Sequence, residues 1–329
     1  MRRSRSLSAI AAIAASAALL TACSSGETET PAGDSSAAST TVQVEDNFGT
    51  QTVTVPPTSV VATDNRTFET LSDWGVQLAA APRALMPETI AYKNDESIVD
   101  LGSHQEPDLE AVVAAEPDLI INGQRFSQYR EDLATLAPDA AIVELDPRDG
   151  EPFEAELKRQ TTALGQIFGK ETEAEQLNTG LDDAIARAQA AYDSGETVMA
   201  VNSTGGELGY LAPGNGRTLG PVFDTLSLTP SLELEGSDFH EGDDISVEAI
   251  AESNPDWILV MDRDAAVGSD EADYQPAAQV IEESQALQNV TAVQEGNIVY
   301  MPDDTYTNEG IQTYTEFYSS LADAFEAKG

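Results

Sequence analysis

The chain of 329 residues contains one cysteine and two histidines, and each scarcity removes a class of chemistry. A single thiol, Cys23, offers no disulfide and no internal thiol chemistry. His104 and His240 stand far apart in the sequence and do not propose a zinc site, which takes about three or four N, S or O ligands. No G-x-S-x-G elbow, Walker loop or H-E-x-x-H occurs, so no enzymatic reaction is assigned. Cations are scarce too. The 16 Lys and Arg face 58 Asp and Glu, for a formal net charge of −42. Such a chain is a poor partner for nucleic acid. Its acids read as a solvated surface that aids solubility or suits a salty setting. From Gly195 to the end the only cations are Arg217, Arg263 and Lys328, with Lys328 in the terminal tail.

The first segment reads as a leader. Arg2, Arg3 and Arg5 form a basic start, and Leu7 to Leu20 is an Ala-rich apolar stretch too short to span a bilayer comfortably. Leu20-Thr21-Ala22-Cys23 resembles the lipobox of bacterial lipoproteins. That resemblance implies cleavage before Cys23, leaving 1–22 as signal peptide, and lipidation of the Cys23 thiol, which would tether the protein to the outer face of the cell membrane. Residues 23–40, rich in Ser, Thr, Ala and Gly, read as a flexible tether. Val42-Gln43-Val44 and Val53-Thr54-Val55 alternate around Asn47-Phe48-Gly49 and predict a hairpin.

What is present is a pattern written twice. Glu110, Pro117-Asp118 and Arg125 recur at the same offsets as Glu248, Pro255-Asp256 and Arg263. Asp108 and Ser246 stand where an N-cap belongs. Each Pro stops a short helix, an apolar strand-like run follows, and each Arg falls just past the strand's carboxyl end. Ligands of open α/β sheets bind outside those ends. Strand-like runs at Ser59–Ala62, Val76–Ala80, Ile98–Leu101, Leu119–Asn122 and Ile142–Leu145 alternate with helical stretches, which argues for a mostly parallel sheet over 41–169. Glu171 to Tyr192 has apolar residues at three- and four-residue steps and would run roughly 33 Å. It predicts a single interlobe helix within 170–194 and small lobe movements on binding. A second α/β lobe over 195–329 follows, with strands at Thr197–Asn202, Trp257–Met261 and Asn297–Met301 and a closing helix over Gln312–Ala327.

Arg66, Arg125, Arg217 and Arg263 all fall at strand-to-helix junctions or after a Gly-rich loop. A planar guanidinium that stacks on rings suits an anionic, aromatic ligand. An ion pair at 4 Å is worth about 4 kcal/mol at an effective dielectric near 20, whereas exposed acids beyond roughly 8 Å are screened. Nearby arginines therefore outweigh the acidic exterior. Gly214-Asn215-Gly216-Arg217 loosely resembles a phosphate-cradling loop, and a plain turn is its other reading. His240 and Tyr306, each in a loop, offer an imidazole and a phenol able to ligate ferric iron.

Several motifs together resemble one family. These are Gly123-Gln124-Arg125, Leu164-Gly165-Gln166-Ile167-Phe168-Gly169-Lys170, Gly214-Asn215-Gly216-Arg217, the run Val260 to Gly268, and Ile298-Val299-Tyr300-Met301-Pro302 with Tyr306 downstream. Over about 41–328 the chain is similar to the class III substrate-binding lipoproteins of iron-siderophore ABC importers, ferric-catecholate branch. The resemblance implies two Rossmann-like lobes joined by one long helix. It implies that Arg125, Arg217 and Arg263 hold an anionic ferric complex, with His240 and Tyr306 filling iron positions that a tetradentate siderophore leaves open. It implies that Glu110 and Glu248 dock on permease arginines, although a helix N-terminal charge is the other reading of each. Arg66 stands where many relatives carry a small or apolar residue, which suggests a more cationic pocket. The protein expected is a monomeric, membrane-tethered carrier without an intrinsic cofactor, iron entering only within the siderophore. Haem, ferric citrate or cobalamin are alternative cargoes; a metal-dependent extracytoplasmic enzyme and a structural surface lipoprotein are rivals of other classes.

Overall fold

The computed structural model describes residues 40–329. The expected leader, Cys23 and the tether up to residue 39 lie outside the described residues. The first lobe is built on a parallel sheet of five strands, ordered Val99–Asp100, Ala80–Ala81, Val60–Ala62, Leu119–Asn122, Ala141–Glu144. Side chains along a strand alternate between faces, and the burial follows that period. Val60, Ala62, Leu119, Ile121 and Val143 join one core with Phe68, Leu71, Ala163, Leu164 and Ile167. Val61, Ile120 and Ile142 join the other with Val112 and Leu133. The hairpin Thr40–Asp46/Gly49–Val55 forms with Val42 opposite Val53 and turns Val44 and Val53 into the first of these cores.

The repeated pattern folds alike in both lobes. Asp108 and Ser246 cap the helices Leu109–Ala114 and Val247–Ser253, accepting from the amides of Ala111 and Ala249 at 3.0 and 3.2 Å. Each helix is followed by a left-handed residue, Glu116 (φ 42) and Asn254 (φ 44). The Asp of each Pro-Asp then accepts from an amide at or just before the start of the neighbouring strand, Thr58 to Asp118 and Thr197 to Asp256, both at 2.8 Å.

The second sheet is mixed. Thr197–Thr204, Trp257–Asp262 and Ile298–Tyr300 run parallel, but Glu207–Tyr210 returns antiparallel beside the first of them and carries Asp243–Asp244 at its far edge. Gly205 and Gly206, at φ +60 and +78, take the positive-φ positions of a two-residue hairpin turn. The turn reverses the chain before a crossover helix can form.

Helices Phe153–Phe168 and Glu171–Ala191 carry the chain from one lobe to the other. Gly169, at φ 63, ends the first in the left-handed cap that glycine favours. The first helix packs Ala163, Leu164 and Ile167 on the first lobe. The second packs Leu181, Ala184, Ile185 and Ala188 on the second lobe, against the closing helix Ile311–Lys328. A second seam joins the lobes, where Asn308 Nδ2 donates to Glu69 at 2.8 Å and Thr70 Oγ1 to Gln312 at 2.9 Å. Among the described residues no helix is long and apolar enough to cross a membrane.

Leu181 is fully buried between the connecting helix and the second core. Leu181→Ala is expected to cost about 2–5 kcal/mol of unfolding free energy, read by urea denaturation. A loss below about 1 kcal/mol would show that this helix does not rest on that core.

Candidate anion-binding cleft

The carboxyl ends of neighbouring parallel strands in both sheets supply the cleft. Val60–Ala62 leads into Asp64 and Arg66, Leu119–Asn122 into Gln124 and Arg125, and Ala141–Glu144 into Asp146. From the second lobe Trp257–Asp262 leads into Arg263, and Ile298–Tyr300 into Tyr306 and Glu309. Arg217 arrives from the loop before the helix Gly220–Leu226.

Three of the four arginines singled out from the sequence meet on one ring. The guanidinium carbons of Arg125, Arg217 and Arg263 lie 4.8, 4.6 and 5.0 Å from the centroid of Tyr306. Arg125 also donates to the Tyr306 carbonyl at 3.2 Å, across the lobe boundary. Cation–π attraction is worth about 0.5–2 kcal/mol per pair, but three like charges around one ring repel. Carboxylates relieve that repulsion. Arg217 forks onto Glu309 at 3.0 and 3.2 Å, and Arg263 pairs with Asp264 at 3.0 Å. Arg66 stands behind this set, 3.1 Å from Asp146 and 3.8 Å from Glu309.

Glu309, with only 2% of its side chain exposed, is the hub. Besides Arg217 and Arg66 it accepts from Thr218 Oγ1 at 2.7 Å and from Gln124 Nε2 at 3.4 Å. Burial works against its charge, but Arg217 and Arg66 hold its pKa down at about 2. For Arg217, burial is outweighed by Glu309, and its pKa is raised. Arg125 is pushed down, chiefly by burial, and the charge of Arg217 adds to the effect. A guanidinium so perturbed still keeps its proton.

Two strained residues fix the arginines. Gln124 (φ 50) precedes Arg125, and Thr218 (φ 66) follows Arg217. Left-handed backbone at non-glycine residues costs on the order of 1–3 kcal/mol and persists where the surroundings over-determine it. Here Asp146 receives the Gln124 amide at 2.9 Å and Glu309 receives the Thr218 hydroxyl. The Gly214–Arg217 loop is a turn and no phosphate cradle. Its amides bond inward, Gly214 to Gly220 O at 2.9 Å and Gly216 to Ala212 O at 2.7 Å. A Cβ on Gly216 would lie 2.5 Å from the Ala212 nitrogen, so glycine is required for that fold-back.

The remaining candidates are distributed differently. Tyr306 is buried beneath the guanidiniums. His240 is 44% exposed in its loop, with its ring 4.6 Å from Phe239 and Nε2 3.6 Å from Glu241. Asn202, near the carboxyl end of the strand Thr197–Thr204, donates from Nδ2 to the His240 carbonyl at 3.3 Å. Glu110 and Glu248 are exposed in the first turns of their capped helices. Among the described residues no group of three His, Cys, Asp or Glu is placed to hold a metal ion. Beside Arg66, Arg125 and Phe153 opens a cavity of about 410 Å³. Another of about 600 Å³ lies on the second lobe by Phe239 and Val280, lined by acids and no arginine.

Several cleft acids were not singled out from the sequence, Glu309, Asp146 and Asp64, and His104 was weighed there only as a zinc ligand. Nothing in their local sequence separates these acids from the rest. His104 has a buried Nδ1 with no hydrogen-bond partner, and burial, reinforced by Arg125, lowers its pKa. Asp64 is fully buried, accepting from Gln160 Nε2 and the Arg66 amide, both at 2.9 Å. Burial, then the neighbouring Asp146, pushes its pKa from 3.8 up to about 7.

These two acids give opposite pH dependences. Glu309 binds its proton less tightly in the folded state, so its contribution is complete above 4.5 and is lost as pH falls towards about 2. The shift corresponds to roughly 3 kcal/mol. Asp64 binds its proton more tightly when folded. Its contribution is complete below 3.8 and is lost as pH rises through about 7. Urea denaturation across pH is expected to show the Asp64 decline in the native chain and its disappearance in Asp64→Asn. An unchanged decline in that variant would assign the slope to other groups.

Comparison with known proteins matches this architecture. The family model described as periplasmic binding protein covers residues 60–305. The petrobactin-binding protein YclQ of Bacillus subtilis is 25% identical over 316 residues, spanning 94% of this chain and 96% of its own. Its crystal structure superposes with a TM-score of 0.73 at 24% identity, covering 87% of this chain and 99% of that one. The ferric-anguibactin-binding protein FatB of Vibrio anguillarum is 27% identical over 271 residues, 81% of each chain. The catecholate-siderophore binding protein VctP of Vibrio cholerae shares the fold, with a TM-score of 0.73 at 23% identity over 88% of this chain and 100% of its own. With the family model spanning most of the folded part and the lobes, strand order and cleft in place, the chain belongs to the periplasmic binding protein family.

Proposed function

We propose that this protein captures a ferric siderophore of catecholate type outside the cytoplasm and delivers it to the permease of an ABC importer. The observation that carries the proposal is the convergence of Arg125, Arg217 and Arg263 on Tyr306 at the strand ends of two lobes. Guanidiniums satisfy both halves of a ferric catecholate, its anionic oxygens by charge-assisted hydrogen bonds and its rings by stacking. The ligands printed in the names of YclQ and FatB, petrobactin and ferric anguibactin, support the same class of cargo.

In this scheme His240 and Tyr306 complete the iron shell when the chelator leaves two positions open. Glu110 and Glu248, one per lobe on matching capped helices, contact the permease. Cys23 carries the lipid that holds a monomeric protein at the membrane. The connecting helix and the Glu309 seam keep lobe movement small. Iron enters only with its chelator, and no covalent bond of the chelator is made or broken.

Intrinsic-fluorescence quenching on titration with a ferric catecholate, a ferric hydroxamate and haem tests the proposal. Trp257 begins the strand whose other end carries Arg263, so it reports from inside the lobe and away from the ligand. The catecholate is expected to bind tightest. Arg125→Ala and Arg263→Ala should each weaken it by about tenfold to a hundredfold, the worth of a charge-assisted hydrogen bond. Equal weak binding of all three ligands, or a Soret band with haem, would contradict it. For the anchor, Cys23→Ser is expected to move the protein from the membrane fraction to the soluble fraction of cells. Retention of that variant in the membrane fraction would remove the lipid from the scheme.

A further inference from the structure

We infer that the cleft selects a ferric chelate of single negative charge over one of triple negative charge, because carboxylates built into its walls neutralise all but one of its arginines. The inference rests on the proposed siderophore function and names the charge class of that ligand. Arg66 faces Asp146 at 3.1 Å, Arg217 faces Glu309 at 3.0 Å, and Arg263 faces Asp264 at 3.0 Å. Arg125 takes part in no ion pair among the described residues, and its guanidinium donates to the Tyr306 carbonyl. Four guanidiniums face these three carboxylates and the buried Asp64, which receives the Arg66 amide at 2.9 Å and is only partly ionised near neutral pH, so the cleft carries at most about one positive charge. Arg66 therefore brings its own counter-ion and does not make the pocket more cationic.

The three acids are held in place by other donors. Glu309 is buried and accepts from the Thr218 hydroxyl. Asp146 accepts the Gln124 amide, and Asp264 accepts the Gly205 amide. An incoming anion meets these carboxylates as fixed charges and cannot displace them cheaply. Two catecholate dianions on ferric iron leave one negative charge and two open coordination positions; three leave triple charge and none. In a partly desolvated cleft each unmatched negative charge is repelled by Glu309, Asp146 and Asp264 at short range, where screening is weak.

The test measures the ratio of Kd values for two probes, the ferric complex of a tetradentate bis-catechol chelator and that of a hexadentate tris-catechol chelator. Native protein is expected to prefer the bis-catechol complex by about tenfold or more. Glu309→Gln and Asp264→Asn each remove one negative charge and keep an amide of the same shape. Each is expected to shrink that preference by about tenfold, while Glu252→Gln, exposed on the helix Val247–Ser253 and in no ion pair among the described residues, leaves it unchanged. A ratio cancels any general loss of binding, and Asp264→Asn alone decides the matter should Glu309→Gln not fold. Tighter binding of the tris-catechol complex by native protein, or a ratio that neither variant moves, overturns the charge assignment and leaves the siderophore function standing. Failure of both complexes to bind overturns the two together.

Discussion

A single buried carboxylate carries much of this architecture. Glu309 receives Arg217 and Thr218 from its own lobe and Arg66 and Gln124 from the other. An ionised carboxyl removed from water is strongly unfavourable unless its partners replace the lost hydration. Those partners come from loops at the ends of different strands, so the lobes must meet for the charge to be tolerated. The same contact orients Arg217 towards Tyr306 and fixes the left-handed Thr218. Lobe seam, strained loop and ligand-facing guanidinium are thus set by one group, and losing it would disturb all three.

The acidic exterior and the cationic ring are compatible because electrostatics here is local. Lys328, the third cation of the second lobe, is held by Glu196 and Glu295 at 2.7 and 3.0 Å and lies over Trp257, at the opposite end of the strand that carries Arg263. It adds nothing to the cleft. The remaining two cations of that lobe both reach Tyr306. A lobe with so few cations has spent most of them at one place, which is hard to account for by surface solvation.

Much of the fold was legible because it rests on local rules. Period-two burial along Val60–Ala62 and Leu119–Asn122, capping by Asp108 and Ser246, and three- and four-residue spacing along Glu171–Ala191 are written in adjacent residues. The arginine cluster was legible because Arg125 and Arg263 sit at repeated positions after strands and Arg217 follows a Gly-rich loop in a lobe with few other cations. Glu309, Asp146 and Asp64 were not, because a buried acid looks like any other among 58 until tertiary contacts single it out. The antiparallel arm was missed for a related reason. Gly205-Gly206 marks a turn, but only pairing of Thr204 with Glu207 shows that it closes a hairpin. His104 was weighed only as a zinc ligand, since its orphaned Nδ1 and its neighbour Arg125 are set by folding.

The resting place of an iron chelate decides the function. A crystal structure of the protein grown with a ferric bis-catechol complex measures this directly. Catecholate oxygens are expected within hydrogen-bond distance of Arg125, Arg217 and Arg263, with Glu309 still joined to Arg217 beneath them. A chelate seated instead in the cavity by Phe239 and Val280, with the three guanidiniums still packed on Tyr306 and untouched, would contradict that function.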